Sequence, residues 1–273
     1  MDKKILILGK GYFGSRIREN LDAEISEKRI NSVDDVIGEI KKYRTDILIN
    51  CIGHTGKFNV DGCEEDKERT LTANTYMPLV LAEGALRAGI KYIHISSGCI
   101  FHYNYDKDQP IDDDKTPDFL DLFYSRSKIY AELALTPLLK KHNILILRVR
   151  IPLDNRPHPK NLIDKLTKYG KVIDAPNSVT YIPDFLKALK HLIGIDAKGT
   201  FNIVNEGGLY FPDLMEVYKK YVPDFKYSVI NFKTLNMIRT NLIMSTRKLR
   251  ESGFTVRPIK DVLEECVKEY LNV

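Results

Sequence analysis

A tyrosine and a lysine four residues apart, Tyr124 and Lys128, stand at the head of a helical pattern in Phe123-Tyr124-Ser125-Arg126-Ser127-Lys128. At that spacing both side chains lie on one face of the first turns and can point into one pocket. A phenol ordinarily titrates near ~10 and a close ammonium favours its anion, so the pair can pass a proton to or from a carbonyl oxygen. Tyr-x-x-x-Lys is common by chance, its ordinary meaning being an exposed lysine beside a packed tyrosine, so other segments must decide. One of them is Tyr92-Ile93-His94-Ile95-Ser96, a strand-like run terminated by Ser97. A hydroxyl at the carboxyl end of a central strand can hydrogen-bond the same carbonyl oxygen that Tyr124 protonates, which makes a triad of Ser97, Tyr124 and Lys128.

The elements that would position this triad begin at the amino terminus. Ile5-Leu6-Ile7-Leu8 is a short apolar run of the kind buried on both faces of a parallel sheet, and Gly9-Lys10-Gly11-Tyr12-Phe13-Gly14 follows at once, before an amphipathic stretch from Ser15 to Leu21. G-x-G-x-x-G between a strand and a helix is a dinucleotide fingerprint. Gly9 permits the tight turn, Gly11 the close approach of the pyrophosphate, and Gly14 the packing of helix on strand. Candidate cofactor contacts are therefore Gly9, Gly11, Tyr12, Phe13 and Gly14. Cys51, Ile52 and Gly53, small residues after the buried strand Ile47-Leu48-Ile49-Asn50, join them, as does Lys128. About 20 residues beyond the glycines the chain reads Ser26-Glu27-Lys28-Arg29. Glu27 could take a ribose hydroxyl and Arg29 or Lys28 a 2′-phosphate, and the basic pair favours NADPH over NADH. His54 is placed as a loop residue near phosphate or solvent in preference to a catalytic base.

A helical pattern from Cys63 to Gly89 carries Asn74, and Pro78 within it predicts an irregular turn. Asn74 either anchors a water that extends the proton path to Lys128 or simply sits unfavourably in the helix. Residues 103–121 form a polar loop, the tyrosine helix runs from Tyr124 to His142, and Ile144–Arg150 is a further strand. Arg148 and Arg150, near its carboxyl end, reach a substrate phosphate or sugar unless an ion pair occupies them. Lys57, Asn59 and Asn177 complete the candidate substrate contacts. After Pro152 the alternation loosens, so residues 1–152 are expected to bind the cofactor and 153–273 to form mainly a substrate lobe. Thr200–Val204 returns a strand, while Phe211–Tyr221 and Pro258–Tyr270 are helices. The fold class is α/β, a doubly wound parallel sheet with a smaller carboxy-terminal lobe.

With 273 residues, 42 basic and 37 acidic side chains interspersed, and a formal charge of +5, the chain has a sizeable core and no basic stripe for nucleic acid. No apolar run approaches the ~20 residues that cross a bilayer, and a cytoplasmic protein is expected. Cys51, Cys63, Cys99 and Cys266 show neither C-x-x-C nor histidines at ligand spacing, which argues against structural zinc, any other metal centre or a disulfide framework.

The glycine-rich turn, Ser97, Tyr124 and Lys128 in this order resemble an extended short-chain dehydrogenase/reductase. Asn59–Glu64, Ser97–Phe101, Phe123-Tyr124-Ser125 with Ser127-Lys128, Leu147–Pro152 and Pro176-Asn177-Ser178 further resemble the carboxy-terminal half of the plant UDP-rhamnose synthases, a nucleotide-sugar 3,5-epimerase/4-reductase. More distantly the chain is similar to dTDP-4-dehydrorhamnose reductases. Serine stands at 97 where the plant enzymes tend to carry threonine, which keeps the hydroxyl, and glycine at 62 where they carry tryptophan. The resemblance implies an NADPH-dependent conversion of UDP-4-keto-6-deoxy-glucose to UDP-β-L-rhamnose, with Cys99 and Lys165 as the epimerase pair. It also implies a keto-sugar supplied by a separate 4,6-dehydratase, and homodimerisation through the helices of Asn74 and Tyr124. A 4-reductase without epimerase activity and a non-catalytic reductase-like subunit are the alternatives.

Overall fold

The computed structural model describes residues 3–57, 59–235 and 238–273. The chain divides into two compact units. One comprises Met1–Ile100, Thr116–Arg148 and Ile193–Phe201, the other Phe101–Lys115, Val149–Leu192 and Asn202–Val273. The division is thus interleaved, where the sequence suggested one boundary after residue 152. The chain leaves the first unit for residues 101–115 and returns to it to complete the sheet.

Short apolar strands build the first unit: β1 (Ile5–Leu8), β2 (Ala23–Ser26), β3 (Ile47–Asn50), β4 (Lys91–Ser97) and β5 (Ile144–Val149). They run in the order β2-β1-β3-β4-β5, and the strand Gly199–Ile203 closes the β5 edge, as expected from the sequence. The β1–β2, β1–β3 and β3–β4 pairings are parallel, with Ile5 opposite both Ala23 and Ile47. Strand order reverses between β1 and β3, so the carboxyl ends Leu8 and Asn50 border the crevice where such sheets bind ligands. Leu6, Leu8, Leu48, Tyr92, Ile144 and Ile146 are buried in one cluster with residues of the helices on that face.

Helices α1 (Tyr12–Asn20) and α2 (Val33–Tyr43) connect the first strands. Ser32 and Asp35 begin α2 with a reciprocal capping box, which satisfies two backbone donors. The stretch from residue 62 to 87 is broken into α3 (Gly62–Glu65), α4 (Lys67–Leu71), a π-turn (Thr72–Tyr76) and α5 (Met77–Arg87). The irregularity expected at Pro78 lies just before it. A proline near the start of α5 has no N–H to complete the preceding turn, and the widened turn holds Asn74. Helix α6 spans Phe123–Leu135, shorter than the sequence pattern, because Thr136-Pro137-Leu138 continues as a 3-10 turn.

Helix α6 is clamped to the sheet by buried charge. Ser96, on β4, donates to Glu132 Oε1 at 2.5 Å, and Arg148, on β5, donates to Glu132 Oε2 through Nε at 3.0 Å and Nη2 at 2.7 Å. Glu132 is 1% exposed and Arg148 4%. The expectation that Arg148 contacts substrate is therefore corrected: its guanidinium neutralises a carboxylate that burial would otherwise leave uncompensated.

In the second unit, β6 (Ile151–Leu153) and β8 (Val179–Tyr181) pair in parallel, as do β7 (Lys171–Ile173) and the strand Ser228–Ile230. Helix α7 (Leu162–Tyr169) places Leu162, Ile163 and Leu166 in a buried cluster with Leu214, Val262 and Val267. Among the described residues no helix is long and apolar enough to cross a membrane.

Replacing Arg148 with alanine strands the Glu132 carboxylate in the core. We expect a loss of ~3–5 kcal/mol, the usual cost of breaking a buried pair, measured as a lowered urea midpoint. A substrate-binding role alone would leave that midpoint unmoved.

Candidate active site

The glycine-rich turn occupies the carboxyl end of β1 under tight steric control. Gly9 has φ +106°, and a Cβ there would lie 2.6 Å from the Cys51 carbonyl carbon and the Ile52 nitrogen. A Cβ on Gly14 would lie 2.0 Å from the Gly9 carbonyl oxygen, whereas one on Gly11 would meet nothing within 4 Å. The turn is therefore packed on its inner side and open at Gly11, the amino-terminal cap of α1. That cap makes no side-chain hydrogen bond, and the first turn of α1 carries no acidic residue. N–H groups and helix dipole are left to face an anion, which fits a pyrophosphate. Tyr12 is buried and packs edge-on against Phe13, so both ring residues brace the turn.

Beside it lies a cavity of about 330 Å³, lined by Gly9, Ile52, Ala73 and Met77 and by the cations Lys10, Lys28, Arg29 and Arg69. The Ser26 hydroxyl fixes the end of β2 by donating to Glu39 at 2.5 Å and accepting the Lys28 N–H at 3.1 Å. The shape and polarity of this crevice suit the adenosine half of a dinucleotide. Arg69 has no signal in the sequence, because it reaches the cavity from α4, some 40 residues beyond the fingerprint's acidic position.

Asn74 is fully buried, and its side chain ties three segments together. Its Oδ1 accepts the His54 N–H at 2.8 Å, while Nδ2 donates to the His54 carbonyl at 2.9 Å and to Ser127 Oγ at 3.0 Å. Both amide hydrogens are thus spent on protein, and any water would have to use the remaining lone pair of Oδ1. That atom and Lys128 Nζ lie 3.5 and 3.6 Å from where a Gly53 Cβ would stand, so Gly53 keeps open the space they share. His54 carries these backbone bonds, and its Nε2 lies 3.6 Å from Asp66, as befits a loop residue.

Two hydrogen bonds hold the turn at the end of β4. Ser97 Oγ accepts the Cys99 N–H at 3.1 Å, and the Cys99 carbonyl accepts the Ser125 hydroxyl at 2.5 Å. Cys99 is thereby pinned between Ser97 and the residue next to Tyr124. Glu64 accepts the Phe123 N–H at 2.7 Å, which starts α6 where no local side chain caps it. Tyr124 and Lys128 are 7% and 5% exposed. Burial pulls the Lys128 ammonium down to about 8, opposed by the carboxylate of Glu132 one turn on. Burial also pushes the neighbouring Cys51 thiol up to about 12, so it stays neutral.

The remaining candidates are held as follows. Asn59 Oδ1 closes a local turn on the Asp61 N–H at 2.9 Å, and Lys57 is exposed. In the second unit Lys165 is half-buried on α7, whose start is locked by Asn161 bonds to the backbone of Asp154 and Arg156. Arg150 and Asn177, expected as substrate contacts, are bonded to each other within their own unit. Arg150 donates to Asn177 Oδ1 at 3.1 Å and to the Thr240 carbonyl, and Asn177 Nδ2 donates to Asn241 at 2.6 Å. At 3% and 1% exposure they organise the interior of their own unit. Among the described residues no His, Cys, Asp and Glu group could hold a metal ion.

Lys128 sets up a trade of stability for function. A lysine whose folded value lies below its unfolded value near 10.5 penalises the fold below pH 8, and the penalty fades as pH rises toward 10.5. Lys128→Met should therefore be inactive yet more stable by about 3 kcal/mol at pH 7, with the gap closing by pH 10. Denaturant titrations of both proteins across that range check it, and a gap independent of pH would contradict it.

Residues 3–175 match the RmlD substrate binding domain model. The chain is 30% identical over 278 residues to an Arabidopsis thaliana trifunctional UDP-glucose 4,6-dehydratase/UDP-4-keto-6-deoxy-D-glucose 3,5-epimerase/UDP-4-keto-L-rhamnose-reductase. That alignment covers 95% of this chain but 41% of the relative, so the chain spans about two fifths of the length of this relative. To the bifunctional dTDP-4-dehydrorhamnose 3,5-epimerase/dTDP-4-dehydrorhamnose reductase of the same plant it is 29% identical, over 97% of this chain and 92% of the relative. The L780 UDP-rhamnose synthase of Acanthamoeba polyphaga mimivirus shares the fold with a TM-score of 0.90 at 23% identity, covering 98% of this chain and 100% of that one. The dTDP-4-dehydrorhamnose reductase of Bacillus anthracis, solved with NADP, shares it at 0.81 and 21%, covering 100% and 99%. Matched across more than half its length, with the Rossmann-type sheet and glycine-rich turn described above, the chain belongs to the RmlD substrate-binding domain family.

Proposed function

We propose that this protein is an NADPH-dependent nucleotide-sugar 3,5-epimerase/4-reductase that converts UDP-4-keto-6-deoxy-D-glucose to UDP-β-L-rhamnose. The observation that carries this is the hold on the Cys99 backbone, whose N–H is bonded to Ser97 and whose carbonyl is bonded to Ser125 next to Tyr124; it supports reading Cys99 as part of the same site as Ser97 and Tyr124. The family resemblance supports the choice of reaction. So do the activities by which the plant bifunctional relative and the mimivirus synthase are named. The open turn at Gly11 and the basic cavity beside Arg29 support NADPH, the cofactor class of the Bacillus anthracis neighbour.

When bound, NADPH supplies the hydride that reduces C4. The chain's own residues manage oxygen and protons. Ser97 and Tyr124 hold the C4 oxygen, first as the enolate formed when a neighbouring carbon loses its proton, then as the alkoxide formed on reduction. Cys99 takes the proton from C5 or C3, and Lys165, brought into this role by the family resemblance, returns one to the opposite face. Proton count is conserved while the carbon inverts. Tyr124 finally donates its phenolic proton to the C4 oxygen, and the buried ammonium of Lys128 favours the anion left behind. Lys57 and Asn59 stay in this proposal as substrate contacts, and the keto-sugar comes from a separate 4,6-dehydratase.

A second copy of the chain is the proposed partner. Tyr76 at the end of the π-turn and Tyr130 and Leu133 on α6 are 45–53% exposed, a surface that a homodimer would cover. Tyr130→Glu combined with Leu133→Glu should halve the mass measured by light scattering, and an unchanged mass would remove this face from the interface.

The two chemistries separate in Cys99→Ala. It should lose exchange of the C3 or C5 protons with D₂O by about 10²-fold or more, the range for losing one catalytic proton carrier. It should still reduce a keto-sugar epimerised beforehand by another enzyme, because Ser97, Tyr124 and Lys128 are untouched. Equal losses on both substrates would make Cys99 a wall of the pocket. Wild-type protein that reduces the pre-epimerised sugar yet exchanges no carbon-bound proton would mark a reductase without epimerase activity.

A further inference from the structure

Four cations line the 330 Å³ cavity beside Gly9, but two of them are already neutralised. Lys10 Nζ lies 3.1 Å from Glu27, and Lys28 Nζ lies 2.8 Å from Asp35, which raises the lysine and holds the Asp35 carboxyl down at about 2. Among the described residues the guanidinium groups of Arg29 and Arg69 make no ion pair or hydrogen bond. They enter from different elements, Arg29 from the loop after β2 and Arg69 from α4. Ile52, Ala73 and Met77 add apolar lining to the same cavity, the kind of surface on which a purine ring packs. A pocket that balances two of its positive charges internally and leaves two guanidinium groups open is built for a dianion next to a flat apolar group.

We infer that Arg69 and Arg29 together grip the 2′-phosphomonoester of an adenosine ribose, and that Arg69 is a determinant of cofactor choice which the dinucleotide fingerprint does not contain. The inference rests on the dinucleotide-binding part of the function proposed above. Two planar guanidinium forks approaching from separate walls can share the three terminal phosphate oxygens, a geometry that one arginine cannot provide. The Lys10–Glu27 pair has a complementary effect. It masks the carboxylate that would otherwise repel the phosphate and that, unmasked, would suit an unphosphorylated ribose.

The test uses the whole protein and two probes that differ by one group, adenosine 2′,5′-bisphosphate and adenosine 5′-monophosphate, with binding followed by calorimetry at fixed ionic strength. Wild type should bind the bisphosphate at least ~30-fold more tightly, a preference that falls as salt is raised. Arg69→Ala should lower that preference by about tenfold, the scale of a lost charge-assisted hydrogen bond, and Arg29→Ala likewise. Arg69→Lys should recover part of it, because charge returns without the fork. Arg69 is exposed, so its replacement should leave the thermal midpoint in place, which the same samples check. An undiminished preference in Arg69→Ala, beside a collapsed one in Arg29→Ala, would overturn the role of Arg69 alone. Equal binding of both nucleotides by wild type would overturn the phosphate site and, with it, the choice of NADPH.

Discussion

Holding a lysine ammonium out of water is the constraint around which the first unit is arranged. Lys128 is buried at the carboxyl edge of a parallel sheet, where desolvation opposes its charge, and the chemistry we propose needs that charge next to Tyr124. The compensation comes from Glu132, one helical turn away, which is itself tolerable in the core because Arg148 and Ser96 bond both of its oxygens. The same carboxylate therefore keeps Lys128 protonated near neutral pH and fastens α6 to β4 and β5. Removing Arg148 would leave the Glu132 carboxylate buried without its countercharge, and removing Glu132 would do the same to Arg148.

Around this clamp, side chains with small volume and strict hydrogen-bond requirements set the local geometry. Ser125 ties the head of α6 to the turn after β4, while Ser127 and Thr75 tie its next turn to the π-turn that carries Asn74. Asn74 in turn holds both backbone groups of His54, which fixes the loop after β3 beside Gly53. The outcome is one wall of a crevice at the point where strand order reverses, with the open turn at Gly11 on the other side of β1. Much of the energetic cost is met within the same shell, where Asn74, Ser125 and Ser127 find partners on neighbouring elements.

Much of this was legible in the sequence, and for physical reasons. Short apolar runs, Ile5–Leu8 before Gly9 and Ile47–Ile49 before Asn50, read as doubly buried strands, and the glycine spacing reads as a turn because Gly9 needs positive φ. Ser97 at a strand end and Tyr124 with Lys128 at a helix head can be placed from the sequence, and Asn74 within the broken helical stretch before Pro78. The partners of Arg148 and Arg150 are not legible, because an arginine at a strand end looks the same whether it faces a ligand or a buried partner. What decides is Glu132 in one case and Thr240 in the other, both distant in sequence. Arg69 was invisible for a related reason: its relevance depends on α4 lying over the end of β2, which no local pattern encodes. The interleaved division of the chain escaped because residues 101–115 read only as part of a polar loop.

The central claim is that one pocket both inverts carbons and reduces a ketone, and the most direct measurement is an NMR analysis of the product formed in D₂O. The purified protein would be given UDP-4-keto-6-deoxy-D-glucose and NADPH as its only partners. The account predicts a UDP-linked 6-deoxy sugar of the L-rhamno configuration, with deuterium at C3 and C5 and the hydrogen at C4 derived from the cofactor. A reduced sugar that keeps the D-configuration and carries protium at C3 and C5 would contradict it, as would the absence of any NADPH oxidation with this substrate.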